Sequence, residues 1–411
     1  MTIVEFYDKT SIENLAGAIL CKPERIILVG NDDKQMIRRR DYYQSILDKN
    51  GIPTQVLNRY ANNQSIPEIV EVLSKIVEEY DDCQFDLTGG DELYLVAVGI
   101  VMKSYEGKVQ CHRFNLRSKT ISDCDSDGKV CSPDSFNVSV EENINIYGGK
   151  IVTDPEEEAY TYPWEFNDEF VRDVDAMWRI CKKDTRLWNA HVGTLGTICK
   201  RFKSEDPLYV SFNKAAAVAY MKKQGLKYVC IAGIMYELQR CGLIGSLKMQ
   251  DTISFVFKND QIKQCLTIAG QVLELVVACM LKSLKEKDGT DMYNDVRVGV
   301  VIDWDAIPQQ KDKCKTINEI DVIAMKGAIP IFISCKNGIL NANELYKLNT
   351  VAERFGSKYA RKVLIAAELD KAENSTSIRE RSKDIGIKYI ENIDEMEEAE
   401  FARQLRLLVS V

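Results

Sequence analysis

Short apolar runs alternate with longer amphipathic segments over the first 116 residues of this 411-residue chain. Runs such as RIILVG (25–30) are too short for buried helices and end in turn residues, as strands covered on both faces do. Segments with helical periodicity follow these runs. The order predicts a doubly wound, Rossmann-like domain over residues 1–150, with its ligands at the carboxyl ends of the strands.

Residues 109–149 contain shorter alternating runs, which predict antiparallel strands added to that sheet. The last of these runs, FNVSVEENINIYGG, would close the domain near Gly149. Residues 151–170 then hold Pro155 and Pro163 among a cluster of carboxylates, which is typical of an acidic linker.

The remaining pattern predicts two further parts. Residues 171–258 are mostly helical and end in alternating runs, two of which we expect to flank Asn259 and Asp260 in a hairpin. Helices followed by a hairpin predict a winged-helix-like middle segment. Residues 259–411 have the order helix, three strands, helix, strand, which predicts a C-terminal α/β domain. The fold class expected is therefore α/β in three parts.

Charge is divided unevenly among these parts. The chain has 54 Lys and Arg against 62 Asp and Glu, a net charge of −8. Residues 1–170 carry −14 (17 basic, 31 acidic), residues 171–258 carry +8 (15 against 7) and residues 259–411 carry −2 (22 against 24). A charged fraction of 28% with recurring apolar runs excludes a mainly disordered chain. The basic block predicts a phosphate-binding surface formed by Lys182, Lys183, Arg186, Lys200, Arg201, Lys203, Lys222 and Lys223.

Cysteine content and hydropathy indicate the compartment. Thirteen cysteines without a C-x-x-C pair, beside only two histidines, argue against a structural zinc site and favour free thiols in a reducing cytosol. The first residues lack the pattern of a signal peptide. The longest apolar stretch, 265–284, contains Gln271 and Glu274 and is too polar to span a bilayer. We therefore expect a cytoplasmic protein with no membrane partner.

One candidate site lies in the C-terminal domain. Glu319 and Asp321 lie on one predicted strand, and Lys336 follows 15 residues after Asp321, so alternation in a hairpin lets all three share a face. Phosphodiester hydrolysis needs this mixture: carboxylates hold a divalent ion, and a lysine positions or deprotonates water. Glu274, on an apolar helical face, would be costly to bury unless it were paired or bound to metal. Surface ion pairs on an exposed sheet are the alternative.

A second candidate site lies in FDLTGGDE, which places Thr88, Gly89 and Gly90 between a buried strand and a helix that starts near Asp91. Two glycines allow close backbone approach, and the free N–H groups of a helix start can receive a phosphate. The loop V-G-N-D-D (29–33) ends a neighbouring strand in the same way. Glycines that serve turn geometry alone are the alternative.

The C-terminal pattern resembles the PD-(D/E)xK nucleases, the fold of many restriction enzymes. Their third-strand motif is usually E-x-K, whereas this chain has Ser334-Cys335-Lys336. The resemblance implies a catalytic centre that binds Mn²⁺ or Mg²⁺. Serine cannot replace a carboxylate ligand, so the metal would be held by Asp321, the backbone carbonyl of Cys335 and a relocated acid, either Glu274 or Glu319.

The two sites together are similar to those of the CARF-domain nucleases of type III CRISPR systems, in which one CARF domain is joined to one PD-(D/E)xK-like domain. This resemblance implies a homodimer that binds a cyclic oligoadenylate, cyclic tetra-adenylate above all, and then cleaves or nicks DNA, with single-stranded RNA as a further candidate substrate. By position, the catalytic residues would be Glu274, Glu319, Asp321 and Lys336. The activator pocket would be lined by Asn31, Asp32, Thr88, Gly89, Gly90 and Asp91.

A different class of function also fits the sequence. In a non-enzymatic regulator, the α/β domain would sense a nucleotide and the winged-helix-like block would bind duplex DNA. Ser334, in place of the usual glutamate, favours this alternative. Retention of Lys336 and the presence of Glu274 and Glu319 favour the enzyme.

Overall fold

Over the residues that it describes, the computed structural model contains three β-sheets with helices packed against them, and the predicted α/β fold class is confirmed. Each sheet corresponds to one of the three predicted parts of the chain, apart from one short strand discussed below. The structure describes residues 1–8, 10–31, 34–49, 51–116, 120–124, 130–131, 137–304, 316–337, 342–367 and 374–409.

The N-terminal domain is built on a mostly parallel sheet. Its elements are β1 (Thr2–Phe6), α1 (Ser11–Cys21), β2 (Arg25–Gly30), α2 (Lys34–Lys49), β3 (Gln55–Tyr60), α3 (Ile66–Glu79), β4 (Cys83–Asp86), α4 (Glu92–Ser104), β5 (Gln110–Asn115), β6 (Thr120–Asp123) and β7 (Val130–Cys131). The strand order is β3-β2-β1-β4-β5-β6-β7, with the first five parallel and the last two antiparallel. We expected β5 to be an antiparallel addition, but it extends the parallel sheet.

Both faces of this sheet are buried, as its apolar runs predicted. Alternate residues of β2 enter different cores: Ile26 and Leu28 pack on the side of α1 and α2, and Ile27 and Val29 pack on the side of α3 and α4. The parallel strands therefore end at one common edge, which places the loops after β1, β2 and β4 side by side.

Residues 137–151 differ from the prediction. They do not form a strand of the first sheet, because Ser139 and Glu142 close a capping box that starts helix α5 (Val140–Ile146). The short strand β8 (Lys150–Ile151) then pairs antiparallel with β12 (Asp295–Asp303) of the C-terminal sheet. The chain therefore leaves the first sheet before residue 150, where we predicted the boundary.

The middle segment has the order of a winged-helix domain. Its elements are α6 (Asp168–Cys181), α7 (Thr185–Arg201), β9 (Tyr209–Asn213), α8 (Lys214–Lys223), α9 (Ala232–Arg240), β10 (Ile244–Met249) and β11 (Thr252–Phe257). From α7 onwards, helix, strand, two helices and a hairpin follow one another, and the sheet order is β10-β11-β9. The winged-helix-like prediction is thus confirmed.

The hairpin of this domain lies earlier in the chain than we predicted. The strands β10 and β11 turn at Gln250 and Asp251. Asn259 instead caps the next helix, since its side-chain Oδ1 accepts the Ile262 N–H at 2.9 Å. The predicted second run of the hairpin is therefore helical from Asp260.

The C-terminal domain confirms the predicted element order. It contains α10 (Asp260–Thr267), α11 (Gln271–Ser283), β12, β13 (Ile317–Lys326), β14 (Ile329–Lys336), α12 (Ala342–Gly356), a 3-10 turn η1 (Ser357–Tyr359), β15 (Arg361–Ala366), α13 (Asn374–Asp384), β16 (Ile387–Ile390) and α14 (Glu398–Arg406). The sheet order is β16-β15-β14-β13-β12-β8. One face shares a core with the winged-helix domain, and the other shares a core with α1 and α2. Within the described ranges, no helix combines the length and apolarity needed to cross a membrane.

An ion pair between a buried carboxylate and an exposed lysine joins the N-terminal and C-terminal domains. The Glu13 side chain on α1 is 2% exposed and lies 2.8 Å from the Lys358 ammonium of η1. Its carboxylate also accepts a hydrogen bond of 2.5 Å from the Tyr359 hydroxyl. Because the Lys358 side chain is 58% exposed, solvent screens the ion pair, and the Tyr359 hydrogen bond to the buried Glu13 carboxylate adds to the contact that holds α1 against the turn between α12 and β15.

Two buried carboxylates lie inside the N-terminal domain. Glu5 on β1 and Asp86 on β4 are each 1% exposed. Neither Glu5 oxygen, nor Asp86 Oδ2, has a hydrogen-bond partner among the described residues. Burial, and then the negative charge of Asp86, raise the pKa of Glu5 well above its ordinary value. Because the folded-state pKa exceeds the unfolded one, a free-energy cost appears as pH rises from the unfolded towards the folded pKa.

We expect Glu5→Gln to stabilise the protein by about 1–3 kcal/mol at pH 8 and to change its stability little near pH 4, where the carboxyl is protonated in both states. Thermal unfolding across this pH range measures the difference. The control is Glu71→Gln, which removes an exposed carboxylate paired with Lys75 and should change stability little at either pH. A gain that is the same at both pH values would contradict the assignment.

Candidate functional site

The β13–β14 hairpin gathers the predicted nuclease residues. Its register pairs Val322 with Ile333, so Asp321 lies across from Ser334. Alternation along β13 places Glu319 on the same face as Asp321, and alternation along β14 places Lys336 on the same face as Ser334. Almost all of β14 is buried between the two cores, which gives these side chains a rigid base.

Asp321 is the centre of a hydrogen-bonded group. Its Oδ2 accepts the Cys335 N–H at 2.6 Å and the Ser334 hydroxyl at 3.0 Å. The Lys336 ammonium lies 3.5 Å from the same carboxylate and 3.1 Å from Glu344 of α12. Burial alone would lower the pKa of Lys336, but the charges of Asp321 and Glu344 more than offset this and raise it. Lys336 is therefore a cation at neutral pH in this arrangement.

Two further carboxylates face this group. Glu274 on α11 is half-buried, and its Oε2 accepts a hydrogen bond of 2.9 Å from Gln271. Burial, and then the charges of Asp321 and Glu319, raise the pKa of Glu274 well above its ordinary value. The pKa of Glu319 is also raised, by loss of hydration and then by Asp321. The three carboxylates are therefore close enough to repel one another.

The repulsion among these three carboxylates bears on metal binding. Carboxylate oxygens and a backbone carbonyl are the ligands that Mg²⁺ and Mn²⁺ prefer, and a cation beside Asp321 would relieve the charge that raises the pKa of Glu274. Within the described ranges, however, no three side chains of His, Cys, Asp or Glu are gathered closely enough to ligate one ion. The donor chemistry fits a divalent cation, although the ligands are not collected into a closed set.

Three residues of this site were not found from the sequence. Glu344 and Lys347 of α12 line the small pocket beside Glu319 and Asp321, and Leu348 of the same helix forms part of its wall. Gly299 on β12 adopts φ +58 between the pairs Val298–Val322 and Val300–Ile320. A Cβ at Gly299 would lie 3.7 Å from Glu319 Oε1, so this glycine leaves room beside the carboxylates. Only an isolated glycine within a strand pattern could have signalled it.

The predicted activator residues lie at the carboxyl edge of the parallel strands. Thr88 donates to Asp86 through its hydroxyl and its backbone N–H, and Asp91 caps α4 by accepting the Leu93 N–H at 3.2 Å. Gly90 has φ +94, and a Cβ there would lie 2.5 Å from Phe6 Cβ. This turn therefore requires glycine for two separate reasons.

The loop after β2 meets the same edge. Asn31 Oδ1 accepts the Asn63 N–H at 3.0 Å, which ties this loop to the one after β3. Gly89 packs beside Glu13, since a Cβ at Gly89 would lie 3.4 Å from the Glu13 Cβ. The candidate pocket and the ion pair to the C-terminal domain are thus adjacent. Asp32, which we also predicted in this pocket, lies outside the described residues.

Comparisons with known proteins give fold-level matches. No protein-family model and no curated protein matches the sequence. Among solved structures, protein VC1899 from Vibrio cholerae aligns with a TM-score of 0.73 at 17% identity, covering 100% of this chain and 98% of that one. Can2 from Sulfobacillus thermosulfidooxidans, in complex with cyclic tetra-adenylate, aligns with a TM-score of 0.67 at 15% identity, covering 100% and 99%.

These alignments extend from end to end of all three chains, so they include the N-terminal domain, the middle segment and the C-terminal domain together. At such identities they bear on the fold alone. The chain shares the fold of these two proteins over its whole length.

Proposed function

We propose that this chain is a cyclic-oligoadenylate-activated, divalent-metal-dependent endonuclease of type III CRISPR antiviral defence, which cleaves or nicks DNA and single-stranded RNA. The carrying observation is the Asp321–Lys336 centre in a chain that shares its entire fold with Can2, a protein solved with cyclic tetra-adenylate. Neither the hairpin chemistry nor the shared fold would be sufficient alone, since one fold hosts many functions.

Each residue of the nuclease centre has a distinct role in this proposal. Lys336, held as a cation by Asp321 and Glu344, offsets charge that develops on the phosphoryl oxygens and orients the attacking water. Asp321 is itself fixed by Ser334 and the Cys335 N–H, so its carboxylate is positioned before substrate arrives. Preorganised charge of this kind is usually the largest contribution to catalysis.

A divalent cation, Mn²⁺ or Mg²⁺, would be held by Asp321 and the Cys335 carbonyl, with Glu274 or Glu319 as the further ligand, because no three carboxylates of the described residues are close enough to share one ion. When bound, such an ion polarises a phosphoryl oxygen and lowers the pKa of water. Glu274 or Glu319 supplies the oxygen ligand that Ser334 cannot. Their raised pKa values indicate unbalanced negative charge at this point.

The activator would bind at the carboxyl edge of β1, β2 and β4. The T-G-G turn allows its phosphates to approach the backbone, and the N-terminus of α4 directs free N–H groups towards them. Asn31, Thr88 and Asp91 would supply polar contacts to the ring. Because Gly89 lies beside Glu13, a shift of this turn would reach the Lys358 and Tyr359 contacts beside α12.

A second copy of the chain would complete the activator site. A ring of four identical nucleotides has two-fold symmetry, and an isologous dimer supplies two equal halves of a pocket. Next to the T-G-G turn, α4 exposes an apolar face: Leu95, Val96 and Ile100 are 42%, 48% and 44% exposed. Added Cβ atoms at Gly99 would meet nothing within 4 Å, so this face is open.

We expect the double variant Val96→Asp, Ile100→Asp to weaken self-association by at least about thirtyfold, because burying two such side chains contributes more than about 2 kcal/mol. Analytical ultracentrifugation with and without cyclic tetra-adenylate measures the effect. Val218→Asp, which alters a valine of α8 that is 38% exposed, serves as the control. A double variant that dimerises as well as the wild type would place the interface elsewhere.

The proposed function is tested with purified protein, supercoiled plasmid and single-stranded RNA. With cyclic tetra-adenylate present, we expect strand cleavage in Mn²⁺ or Mg²⁺ and none in EDTA. Cleavage that persists in EDTA would contradict the proposed metal dependence. If neither substrate is cleaved with any divalent ion, the proposal that this chain is an endonuclease is wrong.

A second function is favoured by one observation. Ser334 occupies the position of the usual motif glutamate, and its hydroxyl binds the Asp321 carboxylate instead. Together with the winged-helix order of the middle segment, a serine at this position is compatible with a nucleotide-sensing regulator that binds duplex DNA. Such a regulator would retain a specific duplex without metal and would not cleave it under any condition.

A further inference from the structure

A large open groove lies between the winged-helix domain and the C-terminal domain. Its volume is about 1790 Å³, above the roughly 300–1,000 Å³ typical of small-ligand sites. One wall consists of α7 and residues 226–230, and the other includes Arg379 and residues 392–395. A space of this size suits a segment of polymer better than a single metabolite.

The walls combine cations with exposed apolar groups. Lys182 and Lys227 are exposed, and neither forms an ion pair within the described part of the chain. Beside them, Leu187 and Leu226 are 45% and 47% exposed, and the half-buried Tyr228 lines the same wall. Lysines bind phosphates, whereas an aromatic ring and apolar side chains contact base faces. Only a single strand presents both, because a duplex keeps its base faces stacked inside.

The acidic residues in the groove do not cancel this pattern. Asp184 is occupied at the start of α7, where its carboxylate accepts the Leu187 N–H at 2.8 Å. Asp394 and Glu395 lie on the opposite wall from α7. The wall formed by α7 and residues 226–230 is therefore the basic one.

The helix that forms the floor of the groove also contacts the residue next to Lys336. Along α7 it is formed by small side chains, Ala190, Gly193 and Thr197, and a Cβ added at Gly193 would meet nothing within 4 Å. One turn earlier, Asn189 Nδ2 donates to the carbonyl of Asn337 at 3.2 Å. Asn337 directly follows Lys336 and also contacts Cys181 at the end of α6. The helix under the groove is thus tied to the residue beside the proposed catalytic lysine.

We infer that this groove binds single-stranded nucleic acid and guides it to Lys336. The inference rests on the proposed function for the identity of the substrate. The phosphates contact Lys182 and Lys227, and a base stacks on Tyr228. The winged-helix domain of this chain therefore serves as a single-strand clamp beside the nuclease domain.

The experiment measures binding separately from cleavage. A fluorescent single strand of about 15 nucleotides, and the duplex of the same sequence, are titrated by anisotropy in EDTA with cyclic tetra-adenylate present. The groove variants are Lys182→Ala, Lys227→Ala together, and Tyr228→Ala alone. The matched control is Lys214→Ala, Lys248→Ala, which removes two exposed lysines of the same basic block that lie outside the groove and outside the predicted phosphate-binding surface.

We expect the groove double variant to bind the single strand at least tenfold more weakly and to reduce the salt slope by about 1.4, the value for two lost phosphate contacts. Tyr228→Ala should weaken binding at least fivefold, and the control pair should be within twofold of the wild type. Equal losses in the groove and control pairs, or wild-type binding by the groove pair, would overturn the inference. So would preference for the duplex.

A parallel cleavage assay keeps the two proposals distinguishable. If the wild type cleaves and the groove variants bind and cleave like it, the groove inference fails and the proposed function stands. If the wild type cleaves nothing, the proposed function fails, while the binding titrations still decide the groove.

Discussion

Lys336→Ala is expected to reduce activated cleavage by about 10³-fold or more, and Asp321→Ala to reduce it similarly. Removal of one preorganised charge from a reacting centre typically costs a factor of about 10²–10³, and Lys336 also balances two carboxylates, Asp321 and Glu344. Initial rates on plasmid at saturating cyclic tetra-adenylate measure the loss. Activator affinity should remain within about threefold of the wild type, since the sensor edge is untouched.

The matched control for Lys336 lies on the neighbouring strand. Lys326 at the end of β13 also pairs with a carboxylate, Glu286, at 2.7 Å. Lys326→Ala should therefore lower the stability of the fold about as much as Lys336→Ala does. It should leave the cleavage rate unchanged. If Lys336→Ala cleaves within tenfold of the wild-type rate, the assignment of this centre is wrong.

Gly90→Ala is expected to weaken activator binding by at least about 100-fold. An alanine there must hold φ +94 and place its Cβ 2.5 Å from Phe6, so the T-G-G turn has to shift. Strain of this kind together with overpacking costs about 2–5 kcal/mol. Isothermal titration with cyclic tetra-adenylate measures the affinity, and the circular dichroism spectrum verifies the fold.

Gly107→Ala is the control that introduces backbone strain away from the T-G-G turn. Gly107 has φ +80 in the same domain, but a Cβ there meets nothing within 4 Å. Its variant should lose some stability and bind the activator within about threefold of the wild type. Equal affinities for the Gly90 and Gly107 variants would show that the T-G-G turn takes no part in binding.

The sequence alone was sufficient to predict the structure where the local pattern and the tertiary structure agree. The spacing from Asp321 to Lys336 predicted a hairpin, and its register places Asp321 across from Ser334. The prediction of a strand that continues through residues 137–149 was wrong because alternation of apolar residues was given more weight than the capping box at Ser139 and Glu142. Asn259 was similarly taken for a turn residue, although it is also a good helix cap.

Other parts of the sites depend on contacts far apart in the chain. Glu344 reaches Lys336 only because α12 folds back over β14, and Glu13 meets Lys358 across 345 positions. The groove has walls from α7 and from residues near 395. The local periodicity of a sequence cannot show pairings between distant residues. The charge of the basic block therefore predicted a phosphate-binding surface but could not predict its shape.

The central claim is that a cyclic oligoadenylate at the N-terminal domain switches on the nuclease of the same chain. The most direct measurement is the initial rate of plasmid and single-stranded RNA cleavage by the wild-type protein in Mn²⁺, with and without saturating cyclic tetra-adenylate. If the ligand binds the active form about 100-fold better, which is about 2.7 kcal/mol, the rate should rise by up to that factor. Equal rates with and without the ligand would contradict the account.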